Sequence, residues 1–195
     1  MTEFSLPTKE NDNIDFAHRD YQLIEKIGEG GFAKVYKAKQ RKTNQFVAIK
    51  FLILPDHFSH HKTQRYIQAF EQETQLCARL QHPNIVRLLD KGQYHHQQLY
   101  AIFEFVHGET LKHHLAWSGS LSTAMAANIM AQILKALAHA HAQGIIHRDI
   151  NPANIMLSKT DTKMHAKILD FGIGTVVNEQ DSNAKNNTLN NKTLG

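Results

Sequence analysis

Hydrophobic and polar residues alternate with a period of two in several short runs of the chain, which is typical of β-strands. Three runs lie close together and two follow further on: YQLIEKI (21–27), FAKVYKAK (32–39), QFVAIKFL (45–52), NIVRLLD (84–90) and QLYAIFEFV (98–106). Between the third and fourth runs, residues 61–80 have helical spacing, with an apolar face formed by Tyr66, Phe70, Cys77 and Leu80. The pattern predicts an α+β unit, a five-stranded antiparallel sheet that carries one helix.

The character of the chain changes after Gly108. From Leu121 to Ala142 apolar residues recur with helical spacing, and Ser120 or Ser122 is placed to cap the helix. The stretch also contains Asn, Gln, Lys and His, so it predicts an amphipathic core helix and not a membrane span. Loops and two short apolar runs, IML and AKIL, are expected to follow.

The composition is that of a globular protein, with 42% hydrophobic and 21% charged residues among 195. The net charge of +4 comes from scattered basic residues, so it gives no case for a nucleic-acid partner. The 14 histidines include no Cys/His set at zinc-finger spacing and are expected to be solvated or capping residues. The single Cys77 and the absence of a secretory signal favour the reducing cytoplasm.

A glycine-rich segment, GEGGFAKV from Gly28 to Val35, lies between the first two predicted strands. Glycine lets a hairpin backbone approach phosphates closely, and its amides can hold anionic oxygens. A plain turn is the alternative interpretation. Because strands flank the segment, it does not fit a dinucleotide fold or a Walker loop, in which the glycines lead into a helix.

Lys50 ends the sequence VAIK in a strand whose two faces are both largely apolar. A partly desolvated ammonium needs an anionic partner, and Glu73 shares the apolar face of the predicted helix. Glu71 is an equally available acid, and both charges could instead lie on the surface.

A third group of residues follows the long helix. His147-Arg148-Asp149 is followed by Asn154 five residues after the aspartate, and a short run then leads to the sequence DFG at 170–172. An aspartate at an attacking hydroxyl, with an amide and a second aspartate for metal-bound phosphates, forms a complete set for phosphoryl transfer.

With these motifs, the sequence resembles the protein kinase family, and most closely its bacterial serine/threonine class. The resemblance runs from about Tyr21 to Gly195 and rests on GEGGFAKV, VAIK, Glu73, HPNIV, FEFV, HRDxxxxN and DFG. It implies a two-lobe fold with a helical C-lobe that is incomplete here, since the chain ends within the activation segment. It also implies an ATP- and Mg²⁺-dependent serine/threonine protein kinase that acts on protein hydroxyls, present as a truncated or fragmentary catalytic domain.

The resemblance assigns ATP to the cleft between the lobes. Gly28 and Gly30 would cover the phosphates, and Lys50, paired with Glu73, would contact the α and β phosphates. The residues at the adenine would be Ile27, Val35, Ala48, Phe103, Glu104, Val106 and Met156.

The resemblance also assigns the catalytic loop. Asp149 would orient the substrate hydroxyl or accept its proton, while Asp170 and Asn154 would hold magnesium. Two residues depart from the pattern: Ala33 replaces the third glycine of the loop, and Asn151 stands where the class usually has a lysine. The amide of Asn151 adds no charge near the transferred phosphate.

The expected organisation is a flexible lead-in over 1–18, an N-lobe with hinge over 19–106 and a partial C-lobe over 107–195. Residues 170–195 of this C-lobe are expected to form the start of the activation loop. Asn151 and the chain end leave open a non-catalytic ATP-binding pseudokinase or scaffold module. A small-molecule kinase on the related fold is a further alternative, against which GEGGFAKV, HPNIV and DFG all argue.

Overall fold

The computed structural model describes residues 16, 18, 20–94, 98–159 and 163–171. Most of the expected lead-in, and the activation segment from Gly172 onward, therefore lie outside the described residues. Eight strands and three α-helices are described, and their bounds follow in chain order: β1 Tyr21–Glu29, β2 Ala33–Gln40, β3 Phe46–Leu52, α1 His60–Arg79, β4 Leu88–Tyr94, β5 Gln98–Glu104, β6 Glu109–Thr110, α2 Leu111–Ser118, α3 Thr123–His141, β7 Ile155–Lys159 and β8 Met164–Ile168.

The five-stranded antiparallel sheet of the N-terminal half is confirmed. Its spatial order is β1-β2-β3-β5-β4, and every neighbouring pair is antiparallel. β5, and not β4, pairs with β3, although β4 is the first strand after α1 in the chain. This order puts β3, which carries Lys50, in the centre of the sheet.

Helix α1 begins one residue earlier than the sequence pattern predicts. The Ser59 hydroxyl caps it by accepting the backbone N–H of Lys62. The predicted apolar face is buried as expected, since Tyr66, Phe70 and Cys77 are all less than 7% exposed.

The predicted fourth strand is wrong at its start, because β4 begins at Leu88 and not at Asn84. Residues 84–87 run instead beside β8: the Val86 amide donates to the Ile168 carbonyl, and the Ile168 amide donates to the Asn84 carbonyl. The Asn84 side chain also donates to Gln132 of α3 and to the carbonyl of Ala166. The HPNIV segment thus links the sheet to the second half of the chain.

The second half holds a three-stranded sheet of order β6-β7-β8 and two helices. The short helix α2 was not predicted separately from α3. Gly108, at φ +140°, precedes it, and a Cβ there would lie 1.9 Å from the carbonyl oxygen of Leu157, so only glycine fits. Helix α3 is the predicted long helix, capped by Ser122, the second of the two predicted candidates. In the part of the chain that the structure describes, no helix is long and apolar enough to cross a membrane.

One hydrophobic core joins the two halves. Leu52, Phe70 and Phe103 from the N-terminal half belong to the same cluster of buried residues as Ile133 and Ile168 from the second half. A second cluster lies on the other face of the five-stranded sheet. The domain boundary at residue 18 stays a prediction, and Phe16, within the expected lead-in, is buried in this second cluster.

Adjacent residues of α3 should differ sharply in their contribution to stability. Ile133 is 1% exposed and Leu134 is 58% exposed. We expect Ile133→Ala to lower the free energy of unfolding by about 2–5 kcal/mol, because it leaves a cavity in the shared core. Leu134→Ala is the matched control and should change it by less than about 0.5 kcal/mol. Urea unfolding measures both, and equal losses would contradict the packing described for α3.

Candidate active site

Lys50 lies between two carboxylates. Its Nζ is 2.8 Å from Oδ1 of Asp170 and 3.3 Å from Oε1 of Glu73. The Lys50 side chain is 12% exposed and that of Glu73 only 4%, whereas Asp170 is 43% exposed. The three groups come from β3, from α1 and from the residues that follow β8, so they meet only in the folded chain.

The two carboxylates determine the protonation of Lys50. Burial by itself would lower the pKa of the ammonium, but the negative charges of Asp170 and Glu73 outweigh burial and raise it. Lys50 is therefore a permanent cation at neutral pH. Of the two acids that the sequence offered, Glu73 is the partner, since Glu71 lies exposed on the opposite side of α1.

The glycine-rich segment is a hairpin between β1 and β2. Its turn is closed by a hydrogen bond of 2.8 Å from the Gly30 amide to the Ala33 carbonyl. A Cβ placed on Gly30 or Gly31 would meet nothing within 4 Å, so this turn borders open space. Ala33, at the position of the expected third glycine, opens β2 without disturbing the pairing with β1.

Strand register brings several of the predicted nucleotide residues onto one face of the sheet. Gly28 pairs with Val35, Val35 pairs with Lys50, and Ala48 pairs with Phe103. Cross-strand partners share a face, as do residues two apart along one strand, so these side chains lie on the face of Lys50.

Four further predicted nucleotide residues lie outside this group of side chains. Ile27 is 45% exposed on β1, Val106 is half-buried after β5, and Met156 is half-buried on β7. Glu104 ends β5, and its carboxylate accepts hydrogen bonds from the Arg87 amide at 2.9 Å and from Lys167 at 2.8 Å.

The loop after α3 has an unusual backbone at Arg148, whose φ is +66°. Such a conformation costs energy in a non-glycine residue and occurs most often at functional sites. The preceding His147 is 1% exposed and is held on both sides of its ring. Its Nε2 donates to the Leu169 carbonyl at 2.8 Å, and its Nδ1 accepts the Asp149 amide at 3.3 Å. The backbone of Asp149 is thus fixed by a buried imidazole.

The carboxylate of Asp149 is exposed and held by two side-chain amides. Nδ2 of Asn151 donates to Oδ1, and Nδ2 of Asn154 donates to Oδ2, both at 2.9 Å. The Asn154 amide also donates to the carbonyl oxygen of Asp149. The predicted pair of Asp149 and Asn154 is therefore in direct contact, and Asn151 joins it.

The residues around Phe171 connect this loop to α1. The Phe171 ring packs on His147 with 4.7 Å between centroids, and it is 4% exposed. Its backbone lies within hydrogen-bonding reach of the Cys77 thiol on α1. Asp170, immediately before it, has a φ of +39° and directs its carboxylate at Lys50.

The sequence pattern does not predict the side chains that link the distant segments of the site by hydrogen bonds. Asn84 and Gln132 link the HPNIV segment to α3 and β8, and the carboxylate of Glu104 links β5 to Arg87 and Lys167. The only signal for them was that Asn84 belongs to HPNIV and Glu104 to FEFV.

Lys50 is paired with Glu73 of α1 and with Asp170, and the loop after α3 holds Asp149 and Asn154 in contact. This arrangement is that of the kinase class. The family model described as Protein kinase domain matches residues 21–192. The chain belongs to this family.

Relatives include bacterial serine/threonine kinases. The chain is 38% identical over 169 residues to the serine/threonine-protein kinase PrkC of Bacillus subtilis, a match that covers 87% of this chain and 25% of PrkC. It is 39% identical over 165 residues to the probable serine/threonine-protein kinase PknB of Lactococcus lactis, covering 84% of this chain and 25% of PknB. The chain thus spans about a quarter of the length of these curated relatives.

A solved structure is also similar to this chain. The crystal structure of Rad53 1-466 in complex with AMP-PNP superposes with a TM-score of 0.67 and 33% sequence identity. The match covers 79% of this chain and 38% of that one. The predicted family and two-lobe fold are confirmed.

We expect Cys77 to be unreactive in the folded protein. Burial raises the pKa of its thiol to about 12, and the nearby Glu73 carboxylate contributes to this rise. At pH 8 almost no thiolate is then present, and the thiolate is the reactive form. A chromogenic disulfide reagent should label the chain rapidly in denaturant and at least about 100-fold more slowly under native conditions. Rapid stoichiometric labelling of the native chain would contradict the burial of this face of α1.

Acid should destabilise the protein through His147. Burial lowers the pKa of its imidazole below the ordinary 6.5, so the unfolded chain binds a proton that the folded chain does not. The contribution of neutral His147 is complete above about pH 7.5 and is lost as pH falls below about 6.5.

We expect His147→Gln to be less stable than the wild type at pH 8, because a buried packed ring is lost. The difference in unfolding free energy should narrow between about pH 6.5 and pH 5, since the variant has no imidazole to protonate there. Urea unfolding at several pH values measures this difference. A constant difference down to about pH 5 would show that His147 is not held neutral.

Proposed function

We propose that this chain acts as the catalytic part of a serine/threonine protein kinase, which transfers the terminal phosphoryl group of ATP to protein hydroxyls. One observation carries the proposal: Lys50 is held by Glu73 and Asp170 on the sheet face that the glycine hairpin borders. Phosphoryl transfer depends mainly on positioning and charge stabilisation, and a cation fixed by two carboxylates supplies both.

ATP would lie between the glycine hairpin and Lys50. Gly28 and Gly30 would cover the phosphates, for which the open space beside Gly30 leaves room, and the Lys50 ammonium would neutralise charge on the α and β phosphates. The similar Rad53 structure is a complex with AMP-PNP, which supports ATP as the nucleotide of this chain.

The adenine ring would lie further along the same sheet face. Ala48 and Phe103 are cross-strand partners there, and Val35 lies two rungs away on β2. The Glu104 carbonyl and the Val106 amide would bond to adenine, with Ile27 and Met156 above and below it. The backbone at this position is held as well, since the Glu104 amide donates to the Arg87 carbonyl at 3.0 Å.

Magnesium fits the residues present. Mg²⁺ prefers oxygen ligands, and Asp170 offers a carboxylate that is 43% exposed. The side-chain nitrogen of Asn154 donates to the Asp149 carboxylate, so the side-chain oxygen of Asn154 is the atom that can bind a metal. When bound, the ion would neutralise phosphate charge that develops during transfer.

Asp149 would orient the substrate hydroxyl and accept its proton. Its carboxylate is exposed, so a serine or threonine of a partner protein can reach it. The imidazole of His147 and the amides of Asn151 and Asn154 fix both the backbone and the carboxylate before substrate arrives.

We further propose that the enzyme works in the cytoplasm, where the unpaired thiol of Cys77 remains reduced.

Asp149→Asn provides the decisive test. Labelled ATP with magnesium should phosphorylate casein or the chain itself, and the variant should lose this activity by at least about 100-fold because its amide accepts no proton. Magnesium-ATP should still raise the Tm of the variant, since Asp149 does not bind the nucleotide. The matched control is Asp90→Asn, which changes an exposed aspartate on β4 and should leave activity unchanged.

Two outcomes would overturn the proposal in different ways. A wild-type chain whose Tm rises with magnesium-ATP but which transfers no phosphate would support the non-catalytic ATP-binding module. A chain that neither binds ATP nor transfers phosphate would argue against nucleotide binding altogether.

A further inference from the structure

The side chain of Asn151 uses both ends of its amide within the catalytic loop. Its Oδ1 accepts the backbone N–H of Ala153 at 2.9 Å and caps the short 3-10 turn Pro152–Asn154. Its Nδ2 donates to Oδ1 of Asp149 at 2.9 Å, with the Asp149 carbonyl oxygen also near at 3.3 Å. The two hydrogen bonds together hold the amide plane with an N–H toward the aspartate.

The hydrogen bond from Asn151 to the Asp149 carboxylate is important because Asp149 is exposed. An exposed aspartate ordinarily turns freely about its terminal torsion, which is broad and two-fold. Asn154 holds Oδ2 and also the carbonyl oxygen of Asp149, while Asn151 alone holds Oδ1 among the contacts of the described residues. Two donors on two different oxygens define the carboxylate plane, whereas one donor leaves it free to rotate.

We propose that Asn151 is a positioning residue that orients the carboxylate of Asp149 for the attacking hydroxyl. The inference rests on the proposed kinase function and adds a residue to its machinery. Because the amide nitrogen donates to Asp149 and the amide oxygen accepts the Ala153 N–H, Asn151 acts on the proton acceptor and makes no contact of its own with the transferred phosphate. It therefore affects the rate of transfer and not the binding of ATP.

Asn151 also caps the 3-10 turn, and this structural role must be distinguished from its proposed role in orienting Asp149. Asn151→Asp has nearly the same shape and keeps an oxygen for the Ala153 amide, but it has no N–H for Asp149. Asn151→Ser also keeps a capping oxygen and adds no charge. If only the cap mattered, Asn151→Ser would behave as the wild type, whereas Asn151→Asp would in addition place a second negative charge beside Asp149.

We expect the Asn151 variants to lower the rate of phosphoryl transfer without weakening the binding of ATP. Asn151→Asp and Asn151→Ser should lower kcat by roughly 10- to 100-fold, since misdirected reacting groups cost about this much, with KM for ATP changed less than about 3-fold. Their Tm should stay within about 2 °C of the wild type because the cap is kept.

Ser122→Ala is the matched control for a lost cap. Ser122 caps α3 by accepting the Met125 amide, and α3 is a separate element from the catalytic loop. This variant should lower Tm by several degrees and leave kcat unchanged. Wild-type kcat in both Asn151 variants would overturn the positioning role.

A second measurement does not depend on activity. In ¹H–¹⁵N spectra of the whole chain, the side-chain amide signal of Asn151 is identified by its absence from Asn151→Ser. We expect this signal to move in Asp149→Ala, since its hydrogen-bond acceptor has been removed, and to stay in place in Asp90→Asn. A signal that does not move in Asp149→Ala would overturn the contact.

The two measurements keep the two proposals apart. A wild-type chain without phosphotransfer refutes the kinase function and, with it, the catalytic consequence of Asn151, while the spectra still decide whether the amide holds Asp149. An active wild type with unaffected Asn151 variants refutes only the role of Asn151.

Discussion

The burial of one cation, Lys50, is the constraint on which the rest of the site depends. An ammonium in the centre of a sheet is tolerated only with anionic partners, because desolvation of an isolated charge costs far more than a fold can supply. Glu73 and Asp170 provide these charges from two elements distant in sequence. Helix α1 must therefore face the sheet with Glu73 inward, and the residues after β8 must turn back toward β3. The positive φ of Asp170 is the local strain that this turn requires.

The same packing extends from Lys50 to the loop that holds Asp149. One turn beyond Glu73 on α1, Cys77 lies against the backbone of Phe171, and the Phe171 ring packs on His147. The imidazole of His147 then holds the Asp149 amide. Cys77, Phe171 and His147 are all buried, and buried groups are close-packed and do not move independently. The orientation of α1 is thus coupled to the backbone at Asp149 through three consecutive contacts.

The sequence predicts this protein well wherever a local pattern carries the information. Period-two runs predict the five strands, helical spacing predicts α1 and α3, and the motifs predict that Lys50 pairs with Glu73. What the pattern cannot show is pairing between distant segments. The run from Asn84 reads as a strand because Ile85 and Val86 are apolar, yet these residues are buried against Ile168 and lie outside β4. Helix α2 is missed because its eight residues are too few to establish a helical period.

The two halves of the site are held by different kinds of interaction. Lys50, Glu73 and Asp170 are up to 120 residues apart in the chain, and their geometry depends on the core that joins the two halves. Asp149, Asn151 and Asn154 lie within six residues and are connected by hydrogen bonds that the loop makes with itself. Movement of α1 would therefore separate the charges around Lys50, whereas the hydrogen bonds between the two amides and the Asp149 carboxylate lie within one loop and can move with it. The nucleotide side of the site follows the packing of the whole fold, whereas the orientation of the proton acceptor is encoded locally, in the sequence Asp149-Ile150-Asn151-Pro152-Ala153-Asn154.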